Sequence, residues 1–197
     1  MTDLSAAIKI LKNGGIVIFP TDTVYGIGCR IDREKSIKRL LTIKKRPPAK
    51  AVPVLVDSIK MAKNFWRLPL PVEIENLLKN YWPGALTVVY FCRKNKTFQI
   101  IRGRNKTLGI RLPDSNLVRS LIKAVGVPLL GPSANFYQGK APYRFEDLDP
   151  ELISLSDWTV KGNCLGKKAS TVVDCTKIPF KVLRQGVVKL ELSDLKL

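Results

Sequence analysis

Ile16-Val17-Ile18-Phe19-Pro20-Thr21-Asp22-Thr23-Val24-Tyr25-Gly26 runs from four apolar residues directly into a polar turn. The apolar run reads as a buried strand, and the turn sets hydroxyls at its end, where ligands of open α/β sheets collect. The pattern recurs where Val127-Pro128-Leu129-Leu130 runs into Pro132-Ser133-Ala134-Asn135. Between the two, Lys44-Lys45-Arg46-Pro47 adds fixed cations. Hydroxyl donors beside two close positive charges suit an anion, above all a phosphate chain. Each segment alone has a plainer reading. Lys44 and Arg46 fit a solvated basic helix C-terminus, and Thr21, Thr23, Ser133 and Asn135 fit caps and turns. Their joint occurrence shifts the balance toward a site.

Outward from these turns the chain alternates strand and helix. Leu4, Ala7, Ile8 and Leu11 recur at helical spacing and stop at Gly14-Gly15. Asp32 is placed to cap a second helix carrying Ile37, Leu40 and Leu41, whose last turn delivers Lys44 and Arg46 before Pro47-Pro48 ends it. Strands are expected at 52–56, 85–91, 97–101, 107–112 and 128–130, with helices at 58–66, 72–81 and 115–124. The tail offers short strands at 158–160, 170–174, 181–183 and 187–190. This order predicts one α/β domain over 1–197, a twisted mixed sheet flanked by helices around a basic concave cavity.

Composition narrows the chemistry. The chain has 197 residues, 34 Lys and Arg against 16 Asp and Glu, and a net charge of +18. Such a field draws in polyanions, so nucleotide or nucleic acid is the expected partner class, although a lysine-rich solvated surface gives the same count. No run approaches a membrane span and the N-terminus lacks a signal-peptide pattern, so a cytoplasmic protein with no membrane partner is expected. There is no histidine, and the four cysteines, Cys29, Cys92, Cys164 and Cys175, have no C-x-x-C spacing. That argues against a zinc site and against Ser-His or Cys-His nucleophiles. Chemistry must rest on Lys, Arg, hydroxyls, carboxylates or a metal carried by the substrate.

Two glycine motifs are set aside. Gly26-Ile27-Gly28 has Ile31 where a dinucleotide fingerprint needs its third glycine. Gly162 to Lys168 is one residue short between its glycines for a phosphate loop and ends in Lys168 where a magnesium-holding hydroxyl belongs. It reads as a basic loop.

Six segments in order give the chain its resemblance to the YrdC domain family, the threonylcarbamoyl-AMP synthases, in their short single-domain form. They are Pro-Thr-Asp-Thr-Val-Tyr-Gly at 20–26, Lys-x-Arg at 44–46, Trp-Pro-Gly-x-Leu-Thr at 82–87, Gly-Ile-Arg-Leu-Pro at 109–113 and Pro-Ser-Ala-Asn at 132–135. The last is Ser-Thr-Val-Val-Asp at 170–174 with Leu-Arg-x-Gly at 183–186. The resemblance implies condensation of L-threonine, bicarbonate and ATP into threonylcarbamoyl-AMP and pyrophosphate, for threonylcarbamoyladenosine in tRNA. It further implies that a downstream threonylcarbamoyl-transferase machinery consumes the product.

By position in those motifs, Lys44 and Arg46 would hold the triphosphate, with Ser133 and Asn135 donating to phosphate oxygens. These four are the expected catalytic set. Lys50, Thr107 and Arg184 join the ATP side. On the threonine side, Thr21 and Ser170 would meet polar groups, Arg111 the carboxylate, and Tyr25 would wall the pocket. Mg²⁺ is expected to arrive with ATP rather than in a protein cage, Asp22 being the nearest acidic group. Some relatives place a histidine after the strand that follows Lys-x-Arg, where Leu55 and its neighbours supply none.

Two other readings remain open. A non-catalytic basic module would hold tRNA or other structured RNA by phosphate contacts and shape. A carbamoyl-transfer domain of the hydrogenase-maturation kind would sit in a longer chain with acylphosphatase and zinc-finger parts. With the synthase, weak, salt-sensitive tRNA binding through Lys35, Lys38, Lys167 and Lys168 is expected, incidental to the reaction; a tRNA requirement or salt-independent binding would point to the binding module instead.

Overall fold

The apolar runs that precede the Thr-Asp-Thr and Pro-Ser-Ala-Asn turns both become short strands, and residues of both turns line one cavity. The computed structural model describes residues 3–47, 49–93, 96–103 and 105–191. Strands β1 (Val17–Phe19) and β2 (Gly26–Gly28) pair antiparallel around the Thr-Asp-Thr turn. β3 (Val54–Leu55), β4 (Leu86–Phe91), β5 (Thr107–Arg111) and β6 (Leu129–Leu130) belong to a second sheet. β7 (Trp158–Thr159) returns to lie parallel to β1, while β8 (Thr171–Asp174) and β9 (Lys181–Arg184) complete the larger sheet. The orders are β2-β1-β7 and β6-β3-β5-β4-β8-β9, with parallel and antiparallel pairs mixed. Bridges Gly26↔Ser133 and Arg30↔Leu129 join the two sheets along β2 and β6. A Cβ at Gly28 would lie 2.2 Å from the Leu130 carbonyl oxygen, so that seam closes only over a bare glycine.

Helices cover both faces. α1 (Asp3–Lys12) and α6 (Asn116–Val125) bury Ala7, Leu11, Val118, Leu121, Ile122 and Val125 against Val17, Phe19 and Leu129. The i, i+3, i+4, i+7 spacing in α6 gives a single apolar stripe, and Ser115 caps its start by accepting from the Val118 amide. α1 ends at Gly14, whose φ of 85° is the left-handed value the sequence anticipates there. α2 (Glu34–Ile43), α3 (Ile59–Lys63) and α4 (Val72–Tyr81) pack on the other core, where Trp66 and Trp82 stack with centroids 5.8 Å apart. The result is a mixed α/β single domain.

Three expectations change. Residues 97–101 form not a strand but part of helix α5 (Lys96–Ile101), packed near α2, with the Ile101 carbonyl accepting from the Val52 amide. Residues 187–190 are not a strand either. The Val188 carbonyl is taken by the Thr171 hydroxyl and the Gln185 side-chain amide, and the Val187 amide donates to the Ala169 carbonyl, so these backbone groups are met without a strand ladder. Asp32 does not cap α2: it pairs with Arg30 at 2.7 Å, and Arg33 occupies the N-cap with no side-chain bond. Unforeseen are β2, a 3₁₀ turn at Phe145–Asp147 and helix α7 (Pro150–Leu155), capped by Asp149. Pro48 lies outside the described residues.

Candidate active site

The Thr-Asp-Thr turn folds on itself before it meets anything else. The Thr21 hydroxyl donates to the Val24 carbonyl at 2.7 Å, accepts from the Thr23 amide at 3.0 Å and lies 2.9 Å from the Thr23 hydroxyl. This local cycle is the turn geometry that Ser and Thr favour. Arg111, at the end of β5, fixes it from the far side. Its Nη1 donates to Thr23 Oγ1 at 2.8 Å, Nη2 to Asp22 Oδ1 at 2.5 Å and Nε to the Gly84 carbonyl at 3.0 Å. Both members of the Asp22–Arg111 pair are more than nine-tenths buried. Burial pushes the guanidinium pKa down, and Asp22 pulls it back up.

A cavity of about 100 Å³ opens above this turn. Thr21, Tyr25, Arg46, Arg111, Ser133, Ser170 and Arg184 of the expected set line it. Residues separated by up to 163 positions in the chain therefore line one cavity. Arg46 is braced by the carbonyls of Lys50 at 3.3 Å and Ala51 at 2.5 Å and lies over the Tyr137 ring. Arg184 donates through Nε and Nη2 to the Ser170 carbonyl at 3.1 and 2.9 Å. Partial burial and the neighbouring charges of Arg111 and Arg46 push its pKa down. Tyr25 is wholly buried and donates to the Gly162 carbonyl, with its phenol pushed up to about 12 by burial. That bond and the close approach of Gly166 to the backbone of Asp22 and Thr23 seat the basic loop 162–168 against the turn.

Four expected residues stand elsewhere. Lys44 is 1% exposed and off the cavity wall, its ammonium donating to the carbonyls of Ser133, at 2.5 Å, and Asn135. Burial, then the Arg46 charge, push its pKa down to about 7. Its position is that of a pin through the Pro-Ser-Ala-Asn turn. Asn135 spends its amide hydrogens on the carbonyls of Phe136 and Gly139, so the side chain turns a buried, unpartnered Oδ1 outward from those bonds. The Lys50 side chain is exposed, and its carbonyl braces Arg46. Thr107 opens β5, four residues and about 13 Å of strand away from Arg111.

Sequence reasoning missed Thr87, whose hydroxyl lies 2.8 Å from that of Ser170 on the cavity wall. The signal was present: Thr87 is the one aliphatic hydroxyl in the otherwise apolar and aromatic strand Leu86–Phe91. Among the described residues no group of three or more His, Cys, Asp or Glu side chains converges to hold a metal ion. All four cysteines are free thiols, and no helix of the described residues is long and apolar enough to cross a membrane.

Comparison with known proteins places this geometry. The Sua5_yciO_yrdC family model, described as "Telomere recombination", matches residues 9–186. Threonylcarbamoyl-AMP synthase of Bacillus subtilis is 30% identical over 195 residues, covering 96% of this chain and 55% of that protein. The chain thus spans about half the length of that relative. Among solved structures, Pyrococcus abyssi Sua5 complexed with L-threonine superposes with a TM-score of 0.84 at 28% identity, over 93% of this chain and 54% of that one. Escherichia coli YciO superposes with a TM-score of 0.86 at 25% identity, over 98% and 92%.

Proposed function

Because the chain belongs to the Sua5/YciO/YrdC family, we propose that it is an L-threonylcarbamoyladenylate synthase serving tRNA threonylcarbamoyladenosine formation. The observation that carries the reading is the charge balance of the cavity. Arg111 is neutralised by Asp22, whereas Arg46 and Arg184 meet no carboxylate among the described residues. Such a pocket attracts anions and stabilises charge that shifts between oxygens. It offers no histidine base, which suits a condensation governed by alignment and charge.

In the proposed reaction the threonine amine attacks the bicarbonate carbon and water leaves. An oxygen of the resulting carbamate then attacks the α-phosphorus of ATP and pyrophosphate departs. Arg46 and the Ser133 hydroxyl meet the phosphates, while Lys44 holds the Ser133–Asn135 turn in place through its carbonyls. Thr21 and Arg111 shape the amino acid's end of the pocket, and Tyr25 closes its wall. Asn135, with its amide hydrogens on the Phe136 and Gly139 carbonyls and its own carbonyl taken by Lys44, supports the Pro-Ser-Ala-Asn turn. Mg²⁺ enters as the magnesium complex of ATP, because no carboxylate of the described residues lines the cavity and Asp22, in the adjoining turn, is committed to Arg111.

The test is pyrophosphate release with threonine, bicarbonate and ATP omitted in turn. Dependence on all three supports the synthase. Release without threonine or without bicarbonate refutes it. A strict requirement for tRNA would favour the RNA-binding module.

A further inference from the structure

Three consecutive residues directly after α2 grip, in order, the segment that follows Pro-Ser-Ala. Lys44 donates through its ammonium to the carbonyls of Ser133 and Asn135. The Lys45 ammonium stands 4.4 Å from the centre of the Phe136 ring, and the Arg46 guanidinium 5.6 Å from that of Tyr137. The Tyr137 amide ties the two segments together by donating to the Lys44 carbonyl at 2.9 Å. Lys45 has a φ of 51° and Gln138 a φ of 69°, the left-handed non-glycine residues among those described. A residue with a Cβ stays in that region only where its surroundings hold it, and here one lies in each segment.

The plain reading of such contacts is a solvated surface, where a cation over a ring contributes little. That reading suits Lys45, which is exposed and also pairs with Glu151 at 3.6 Å. Arg46 differs. It is half-buried, lines the cavity and meets no carboxylate among the described residues. Its Nε and Nη2 are spent on the carbonyls of Lys50 at 3.3 Å and Ala51 at 2.5 Å, which fixes one edge of the guanidinium. A planar group held along one edge can still swing about that edge, and a ring packed against it opposes the swing. Tyr137 supplies the ring. It does not line the cavity, and its phenol makes no hydrogen bond to a described residue, so what it offers Arg46 is the ring itself.

We propose that Tyr137 is a positioning residue for the anion end of the cavity: its ring holds the Arg46 guanidinium so that the remaining nitrogen, Nη1, is presented to the ligand. The inference rests on the synthase reading for the identity of that ligand, a triphosphate, and on the contacts above for the coupling of ring to arginine. Tyr137 acts through Arg46 and touches no substrate itself. The left-handed turn at Lys45 sends Lys44 and Arg46 apart, and the Asn135–Phe136–Tyr137 step receives all three side chains in order. An arginine ordered beforehand loses less freedom on meeting a phosphate than one that must first be ordered, so the ring raises affinity from a distance.

The experiment is a double-mutant cycle on the full chain, read by isothermal titration with inorganic tripolyphosphate as the probe. Tyr137→Leu should weaken binding about three- to tenfold, the range of a cation–ring contact partly shielded from water. Tyr137→Phe, which keeps the ring, should stay within about twofold of the parent. In an Arg46→Gln background Tyr137→Leu should change affinity by less than about twofold, because the group it positions is gone. Equal losses with and without Arg46 overturn the proposal, since Tyr137 would then support the fold at large or meet the ligand directly. A loss in Tyr137→Phe as large as in Tyr137→Leu, no loss in Tyr137→Leu, or a parent that binds no tripolyphosphate overturns it as well. Tyr143→Leu removes the ring beneath Arg144 and Lys167 and leaves Arg46 untouched, so it should bind as the parent does; a loss equal to that of Tyr137→Leu counts against the coupling. Pyrophosphate release gives the second readout: in Tyr137→Leu the KM for ATP rises while that for threonine stays within about twofold. If the parent releases no pyrophosphate but the cycle shows the coupling, the synthase reading falls and the positioning role stands.

Discussion

Replacing Asp22 by alanine should destabilise the fold far more than a cavity-side substitution ordinarily does. Among the described residues the carboxylate is the negative charge paired with Arg111, at 2.5 Å, and both side chains are less than a tenth exposed. Without it the guanidinium keeps Gly84 O and Thr23 Oγ1 as acceptors but stays a buried, uncompensated cation. Breaking a buried pair from one side costs about 3–5 kcal/mol. For a chain of this size that is a fall of roughly 6–20 °C in thermal midpoint. The double variant Asp22→Ala/Arg111→Met removes the stranded charge as well. It should recover at least about 2 kcal/mol relative to the sum of the single losses, since residues in one network are not additive. Urea unfolding followed by tryptophan fluorescence reads the effect, because Trp66 and Trp82 are stacked in the core. An Asp22→Ala loss under about 1 kcal/mol, or strict additivity in the cycle, would refute the claim that this ion pair clamps the Thr-Asp-Thr turn.

Three further outcomes are expected. Arg46→Ala should reduce ATP-dependent pyrophosphate release by about 2–5 kcal/mol in transition-state terms, as for a lost partner of a desolvated charge, and turnover within twofold of the parent would contradict its phosphate role. Lys44 titrates near 7 in the fold against 10.5 in a model side chain, so between those values the unfolded chain binds the extra proton and stability rises with pH. Unfolding free energies at pH 7.5 and 8.5 should therefore show a slope for the parent that Lys44→Met lacks, up to about 1.4 kcal/mol per pH unit; equal slopes would show that Lys44 is not desolvated. Gly28→Ala should cost about 1–3 kcal/mol by forcing β2 from β6, and a urea midpoint unchanged from the parent would show that the seam yields freely.

The strand-end turns were legible because each is local: an apolar run, then residues that prefer turns. Thr21, Ser133 and Arg46 lie where that logic put them, beside one cavity. What failed was the direction of individual side chains. Lys44 and Arg46 are two residues apart near the end of α2, yet one turns inward onto two carbonyls and the other remains at the wall. No spacing rule separates them, since the choice is made by the Ser133–Asn135 turn 89 residues away. Segment 97–101 misled for another reason. Its β-branched and aromatic residues favour strand, but packing near α2 held it as helix. Thr87 was overlooked because a hydroxyl in a strand gains meaning only from its partner across the sheet, and β8 brings Ser170 there.

The contact of Arg184 with Ser170 also bears on how the protein is made. β9 is the last strand of the larger sheet, and its arginine closes a cavity whose first wall is laid down at Thr21. A chain still emerging from the ribosome can pair β1 with β2 early, because only a short turn separates them. It has no closed pocket until residue 184 is free to fold back onto Ser170. Closure of the cavity should therefore come late during synthesis, once β9 pairs with β8. A growing chain would hold its charge without holding its ligand, and polyanions in its surroundings would meet it first.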